Sequence, residues 1–100
     1  MNIKIIPQHQ YIQVCLIGEL DSIATTEQAD ELDEVVKLCG KTVEIDCSEL
    51  EYISSAGLHF FMQLKRASET QGGTIRVTHI NEVIAEIFRM SGFQNLFDIE

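Results

Sequence analysis

The sequence predicts a single α/β domain, residues 1–100, with a mixed, mostly parallel sheet of four to five strands and helices packed on it. The first observation is a change of period, because apolar residues alternate from Thr42 to Asp46 and recur at helical spacing after Ser55. The second is the predicted order of elements, β-β-α-β-α-β-α-β, in which strand and helix alternate strictly after two opening strands. That order is typical of a parallel sheet with right-handed crossovers.

Two strands, Asn2–Ile6 and Tyr11–Ile17, open the chain, and the turn between them is so short that we expect an antiparallel hairpin. One helix follows, capped by Asp21 or Ser22 and ended near Gly40. Acidic residues in its first turns suit the positive end of the helix dipole. Helical spacing predicts an inward face made of Ala29, Leu32, Val36 and Cys39.

The second half of the chain repeats a strand and helix pattern. The predicted elements are a strand at Thr42–Asp46, an acidic turn, a helix at Ser55–Thr70, a strand at Thr74–Thr78, a short helix from Asn81 to Ser91-Gly92, and an edge strand at Leu96–Ile99. In parallel sheets the functional crevice lies outside the carboxyl ends of the strands. Here those ends are Gly18–Asp21, Asp46–Ser55 and His79–Asn81.

Composition limits the kinds of partner. The formal net charge is -9, with 16 acidic and 7 basic residues, and no stretch is basic enough for direct nucleic-acid binding. An acidic surface of this kind favours a basic protein partner. The 3 cysteines form no C-x-x-C pair, which indicates reduced thiols. Without a signal-peptide pattern or a long apolar segment, we expect a cytoplasmic protein that does not enter the membrane.

The stretch from Asp46 to Leu58 contains adjacent serines at a predicted helix start. A serine there usually serves only as an N-cap, but Ser54 and Ser55 present more hydroxyls than one cap needs, and Ala56-Gly57 leaves the helix start open. A phosphate on Ser55 would meet free N–H groups and the positive dipole end. It would also add a charge of about -1.5 to -2 near acidic side chains, which changes what this surface binds. Those acids are Asp21, Asp46, Glu49 and Glu51.

Other chemistries have weaker support in the sequence. Asp46 at a strand end is typical of a phosphoacceptor or Mg²⁺ ligand, but the further acids and lysine of such sites are missing, which favours a turn-forming aspartate. Ser55 as a hydrolase nucleophile would need a base, either His79 or His59, and the chain has no G-x-S-x-G. The histidines and cysteines lack metal-ligand spacing. We therefore expect no enzyme activity, no catalytic residues, no metal and no cofactor.

Three stretches carry a family resemblance, namely Gly18–Asp21, Ile45–Ser48 with Tyr52–Leu58, and Phe88–Phe93. They closely resemble the STAS domain of bacterial anti-sigma factor antagonists, and the resemblance covers essentially the whole chain. It implies a regulator that binds an anti-sigma factor in its unphosphorylated form. It further implies that the anti-sigma factor is a serine kinase of the histidine-kinase-like ATPase type, that phosphorylation releases it, and that a serine phosphatase resets the cycle.

The resemblance also assigns the site. The family's acceptor serine lies two residues before the glycine of the turn, which here is Ser55, with Ser54 as the second choice. The partner-binding residues are expected to be Asp21, Asp46, Ser54, Ser55, Ala56, Gly57 and Leu58. The chain departs from the family at Ser54, where Asp is frequent. Two alternatives stay open: a constitutive STAS subunit of another assembly, such as a transporter ATPase complex, and a small serine hydrolase.

Overall fold

An antiparallel hairpin opens the sheet of the computed structural model, which describes residues 1–99. Strand β1 (Asn2–Pro7) pairs with β2 (Ile12–Leu20) along its whole length. The predicted hairpin is confirmed, and β2 continues past the predicted end at Ile17. Gly18 allows this continuation because its φ of 103° lies in a region that favours glycine.

The remaining strands run parallel to their neighbours. β3 (Thr42–Asp46) pairs with the first half of β2, and β5 (Thr74–Thr78) pairs with β3. β6 (Asp98–Ile99) pairs with β5, which gives the order β1-β2-β3-β5-β6. The predicted mixed, mostly parallel sheet is confirmed, although its last strand covers only part of the predicted Leu96–Ile99. The predicted domain, 1–100, ends at a residue that lies outside the described range.

A short strand that the sequence reading missed lies inside the acidic turn. β4 (Leu50–Ile53) pairs in parallel with the second half of β2, and the register shifts between Gly18 and Glu19. Because of this bulge, Leu50 and Ile53 are both buried although they are three residues apart. The period-two signal of a strand is thereby lost, which is why the predicted order lacked β4.

The first predicted helix is in fact two helices. α1 (Ser22–Glu27) and α2 (Ala29–Lys37) are separated by Gln28, whose ψ of 26° is not helical. The Thr25 and Thr26 hydroxyls donate hydrogen bonds back to the Ser22 carbonyl, an arrangement that bends helices. The predicted inward face was wrong for Ala29, which is exposed, whereas Val36 is half-buried and packs against the core. The buried residues are Leu32, Val35 and Cys39.

The two later helices have the predicted caps. α3 (Ser55–Gln71) ends at Gly72, and α4 (Glu82–Ser91) begins at Asn81 and ends at Gly92. Both glycines have positive φ angles, 77° and 79°, which is the usual backbone of a helix C-cap. A single 3₁₀ turn (Phe93–Asn95) then leads to β6.

The core lies between the helices and one face of the sheet. Phe61 of α3 meets Phe88 of α4 edge to face, with ring centroids 5.5 Å apart, and packs in the same way against Phe97 at 5.9 Å. The sheet contributes fully buried aliphatic side chains, among them Val14, Leu16, Val43, Ile45 and Val77. Within residues 1–99, no helix is both long enough and apolar enough to cross a membrane.

Candidate functional site

Ser54 fixes the start of α3 against the end of β2. Its backbone N–H donates to the Leu20 carbonyl at 3.0 Å, and its side-chain oxygen accepts from the Gly57 N–H at 3.3 Å. Its carbonyl accepts from the Leu58 N–H at 2.9 Å. Ser54 is therefore the N-cap, and it uses both its side chain and its backbone in that role.

Gly57 allows the helix start to lie directly on the sheet. A Cβ at this position would overlap the Leu20 carbonyl oxygen and would lie 2.8 Å from Cγ2 of Ile53. Any larger residue would therefore push the first turn of α3 away from β2 and β4. The glycine of the serine turn has a packing role that places Ser55 at a fixed height above the sheet.

Ser55 is left free by this arrangement. It is the first residue of α3 and is exposed, and its hydroxyl has no hydrogen-bond partner among residues 1–99. Because Ser54 satisfies the N–H groups of Gly57 and Leu58, the N–H groups of Ser55 and Ala56 remain for a group at the helix start. Among the described residues, the Ser55 hydroxyl therefore lies without a partner beside two backbone N–H groups that also lack one.

Asp21 caps the neighbouring helix α1, as predicted. Its Oδ1 accepts from the Ala24 N–H at 2.9 Å, and the preceding residue, Leu20, holds Ser54. The two helix starts therefore lie side by side at the carboxyl end of β2. The structure brings Asp21 together with the predicted residues Ser54, Ser55, Ala56, Gly57 and Leu58.

An acidic surface lies next to this pair of helix starts. A depression of about 280 Å³ has Glu19, Asp21, Glu27 and Glu51 in its lining, and an adjoining one of about 480 Å³ adds Glu49. We call these five residues the acidic surface. Exposed apolar side chains border it, namely Ile23, Tyr52 and Val83, which are 64%, 45% and 53% exposed. Sequence reasoning missed Ile23 and Tyr52 and placed Val83 on the inward face of its helix, but all three are exposed.

Asp46 lies elsewhere. It pairs with Cys15 of β2, whereas the serine turn follows Ile53, which pairs with Leu20. Cys15 and Leu20 are five residues apart on β2, so Asp46 and the serine turn are separated by about 16 Å along this strand. The structure therefore does not bring Asp46 to the other predicted partner-binding residues.

The contacts of Asp46 are those of a turn-forming aspartate. Oδ1 accepts from the Ser48 N–H at 2.9 Å, which confirms the turn interpretation, and Oδ2 accepts from Gln13 Nε2 at 3.0 Å. Burial raises the pKa of this carboxyl, but the hydrogen bonds from Ser48 and Gln13 and the nearby His79 outweigh it, so the pKa is below its usual value. The lowered pKa marks a carboxylate that stabilises the folded state.

We expect Asp46→Asn to flatten the acid dependence of stability. A pKa that is lower in the folded chain adds stability above the unfolded-state pKa, and this stability is lost as the pH falls through the folded value. Wild-type protein should therefore lose more stability than the variant between about pH 6 and pH 3, while at neutral pH the variant should be about 1 kcal/mol less stable. Urea denaturation across that range measures both effects, and parallel curves for the two proteins would contradict the assignment.

The histidines considered as bases for Ser55 have other surroundings. His79 Nδ1 lies 3.1 Å from Thr78 Oγ1 and 3.7 Å from Asp46 Oδ1, at the level of Asp46. His59 is exposed on α3. Neither makes a hydrogen bond to Ser55 within the described residues, so the geometry does not support activation of this hydroxyl as a nucleophile.

Comparisons with known proteins agree with this fold. A family model described as "Mlab, STAS domain" matches residues 8–98. The anti-sigma-B factor antagonist of Bacillus subtilis (strain 168) is 23% identical over 99 residues, covering 99% of this chain and 90% of that protein. An anti-sigma factor antagonist from Mycobacterium paratuberculosis has a TM-score of 0.83 at 17% identity, covering 98% of this chain and 83% of that chain. The Bacillus cell fate determinant SpoIIAA in its phosphorylated form has a TM-score of 0.69 at 17% identity, covering 99% and 91%.

At these identities, the solved structures establish the fold alone. The family model goes further, because it matches nearly the whole chain, including both the serine turn and the end of β2. The resemblance read from the sequence is confirmed at this level. The chain belongs to the STAS domain family.

Proposed function

We propose that this protein is an anti-sigma factor antagonist whose binding to an anti-sigma factor is switched by phosphorylation of Ser55. The observation that carries the proposal is that the two serines have different structural roles. Ser54 caps α3, while Ser55 is exposed with an unengaged hydroxyl. A kinase can therefore modify Ser55 without removing the cap that holds the helix start.

The electrostatics support a switch without a large motion. A phosphate on Ser55 lies at the positive end of a 17-residue helix, beside free N–H groups, so the fold tolerates it. The same phosphate adds a charge of about -1.5 to -2 next to the acidic surface. The binding properties of this face change while its structure is kept.

The neighbouring surface has the composition of a protein interface. Ile23, Tyr52 and Val83 are exposed apolar side chains, and the acidic surface lies among them. Such a mixture fits a partner that presents basic side chains around an apolar centre. When that partner covers Ser55, a phosphate there would have to be desolvated, which weakens binding.

The relatives supply the class of partner. The named relative from Bacillus subtilis is an anti-sigma-B factor antagonist, and one compared structure is a phosphorylated form. We therefore propose an anti-sigma factor as the partner, in the form of a serine kinase of the histidine-kinase-like ATPase type, and a serine phosphatase that resets Ser55. ATP and Mg²⁺ belong to the kinase in this scheme. The protein itself acts in the cytoplasm as a regulator and not as an enzyme.

The direct test is phosphorylation of the purified protein by its cognate kinase with ATP, measured by intact mass. We expect one phosphate on wild-type protein and on Ser54→Ala, and none on Ser55→Ala. Wild-type protein that gains no mass would contradict the switch. If Ser55→Ala still gains a phosphate and Ser54→Ala does not, the acceptor is Ser54.

A second candidate is a constitutive STAS subunit of another assembly. It is favoured by Ser54, which stands where the family frequently has Asp. Serine caps a helix as well as aspartate does, so the fold is preserved, but the negative charge beside the acceptor is absent. This candidate predicts a partner that binds wild-type protein and Ser55→Ala equally and that leaves Ser55 unmodified in the presence of ATP.

A further inference from the structure

A groove of about 600 Å³ separates α3 from α1 and α2, on the side of α3 that begins at Ala56. Leu32 and Phe60, which are only 5% and 4% exposed, line its apolar part. The groove stays open because Ala29 and Ala56 are too small to fill the space between the helices. We call it the interhelix groove.

The groove is elongated. Its lining on α3 extends from Ala56 to Arg66, ten residues apart, which is about 15 Å along the helix axis. Its volume falls within the range of roughly 300–1,000 Å³ that is usual for small-molecule sites. The length and volume of the groove suit an extended small molecule.

The charges at the rim indicate which end of that molecule is polar. Asp33 is neutralised by Lys37, whose Nζ lies 3.5 Å from Asp33 Oδ2. Arg66 is exposed and makes no ion pair within residues 1–99, in a protein with a net charge of -9. His59, whose ring nitrogens can form hydrogen bonds, lies on the same rim. The groove therefore has an apolar floor, and at the end of its α3 wall it has the positive charge of Arg66.

We propose that the interhelix groove binds a small amphiphile that has an alkyl chain and a carboxylate. The chain lies on Leu32 and Phe60, and the carboxylate accepts hydrogen bonds from the Arg66 guanidinium, which pairs with carboxylates through planar donors. Binding does not require a phosphate on Ser55, so this site is independent of the switch proposed above.

The probe for the test is dodecanoate, titrated below its micellar concentration into ¹⁵N-labelled full-length protein. We expect saturable amide shifts confined to residues 25–36 and 56–66. Arg66→Gln should weaken binding about fivefold, which corresponds to the loss of one exposed ion pair. The matched control is Lys41→Gln, because Lys41 is also exposed and without an ion pair among the described residues but lines a different depression. It should leave the affinity unchanged.

Two further measurements separate the alkyl chain from the carboxylate. Ala29→Leu fills the groove at an exposed helix position and should abolish the shifts while the thermal unfolding curve stays two-state. Dodecyltrimethylammonium, with the same chain and a cationic head, should bind wild-type protein more weakly than dodecanoate does. Shifts spread over the sheet, no saturation, or equal losses for Arg66→Gln and Lys41→Gln would overturn the proposal. Protection of the groove by the anti-sigma factor, without any dodecanoate binding, would show that a polypeptide occupies it.

Discussion

Replacing Ser55 by Asp is expected to weaken binding of the anti-sigma factor about 30- to 100-fold, or about 2–3 kcal/mol. The wild-type hydroxyl is exposed at the start of α3, at the carboxyl end of β2 where Asp21 caps the neighbouring helix. In a complex that covers this surface, the carboxylate must give up its water and also lies near the negative charge of Asp21. The helix start stabilises this charge, but removing its water at the interface costs more than the interface gains from the extra atoms.

The matched control is Thr74→Asp. Thr74 is also exposed, and it begins β5 at the opposite edge of the sheet from the serine turn. The Thr74→Asp substitution adds the same charge far from Ser55. Its effect on affinity therefore measures long-range repulsion alone. Titration calorimetry measures both variants. Equal losses of affinity would show that net charge matters and position does not, and unchanged affinity of Ser55→Asp would contradict the electrostatic switch.

The fold was predictable because most of its elements have clear local signals. β3 and β5 alternate strictly, and each of the later helices begins at a good cap, Ser54 or Asn81, and ends at a glycine with positive φ. The opening hairpin has a short turn that leaves few other pairings. These signals depend only on neighbouring residues, so one sequence is enough to read them.

Two details were missed, one that depends on a contact distant in sequence and one that depends on side-chain hydrogen bonds within a single helix. β4 is visible only through its bulge against Gly18 and Glu19, about thirty residues earlier in the chain, and the break at Gln28 comes from hydroxyls that bond backward within α1. The apolar residues of a bulged strand do not alternate. The acidic run around Glu51 was therefore read as a turn.

The structure brings the residues of the serine turn together with Asp21, as the sequence suggested, but it separates Asp46 from them. The serine turn and Asp46 both lie at carboxyl ends of strands, which places them at one edge of a regular parallel sheet. The insertion of β4 after β3 extends the chain along β2, so the serine turn lies a further five β2 residues from the level of Asp46. Tyr52 lies on this inserted strand and is exposed. One unrecognised strand thus accounts for both the separation of Asp46 and the missed apolar side chain.

Replacing Gly57 by Ala is expected to destabilise the protein by about 2 kcal/mol and to weaken partner binding as well. In an ordinary helix this change stabilises by about 1 kcal/mol, since alanine has the higher propensity. Here the added methyl group would overlap the Leu20 carbonyl oxygen, which already accepts from Ser54, and a backbone atom cannot move aside as a side chain can. The steric cost therefore exceeds the propensity gain, and the first turn of α3, with Ser55, shifts from the sheet.

The control is Gly40→Ala, where the new Cβ would meet the flexible end of Gln71 at 3.2 Å and the effect on the free energy of unfolding should stay within about 0.5 kcal/mol. Urea denaturation of both variants decides the matter, because equal stabilities would show that the start of α3 is not held against β2.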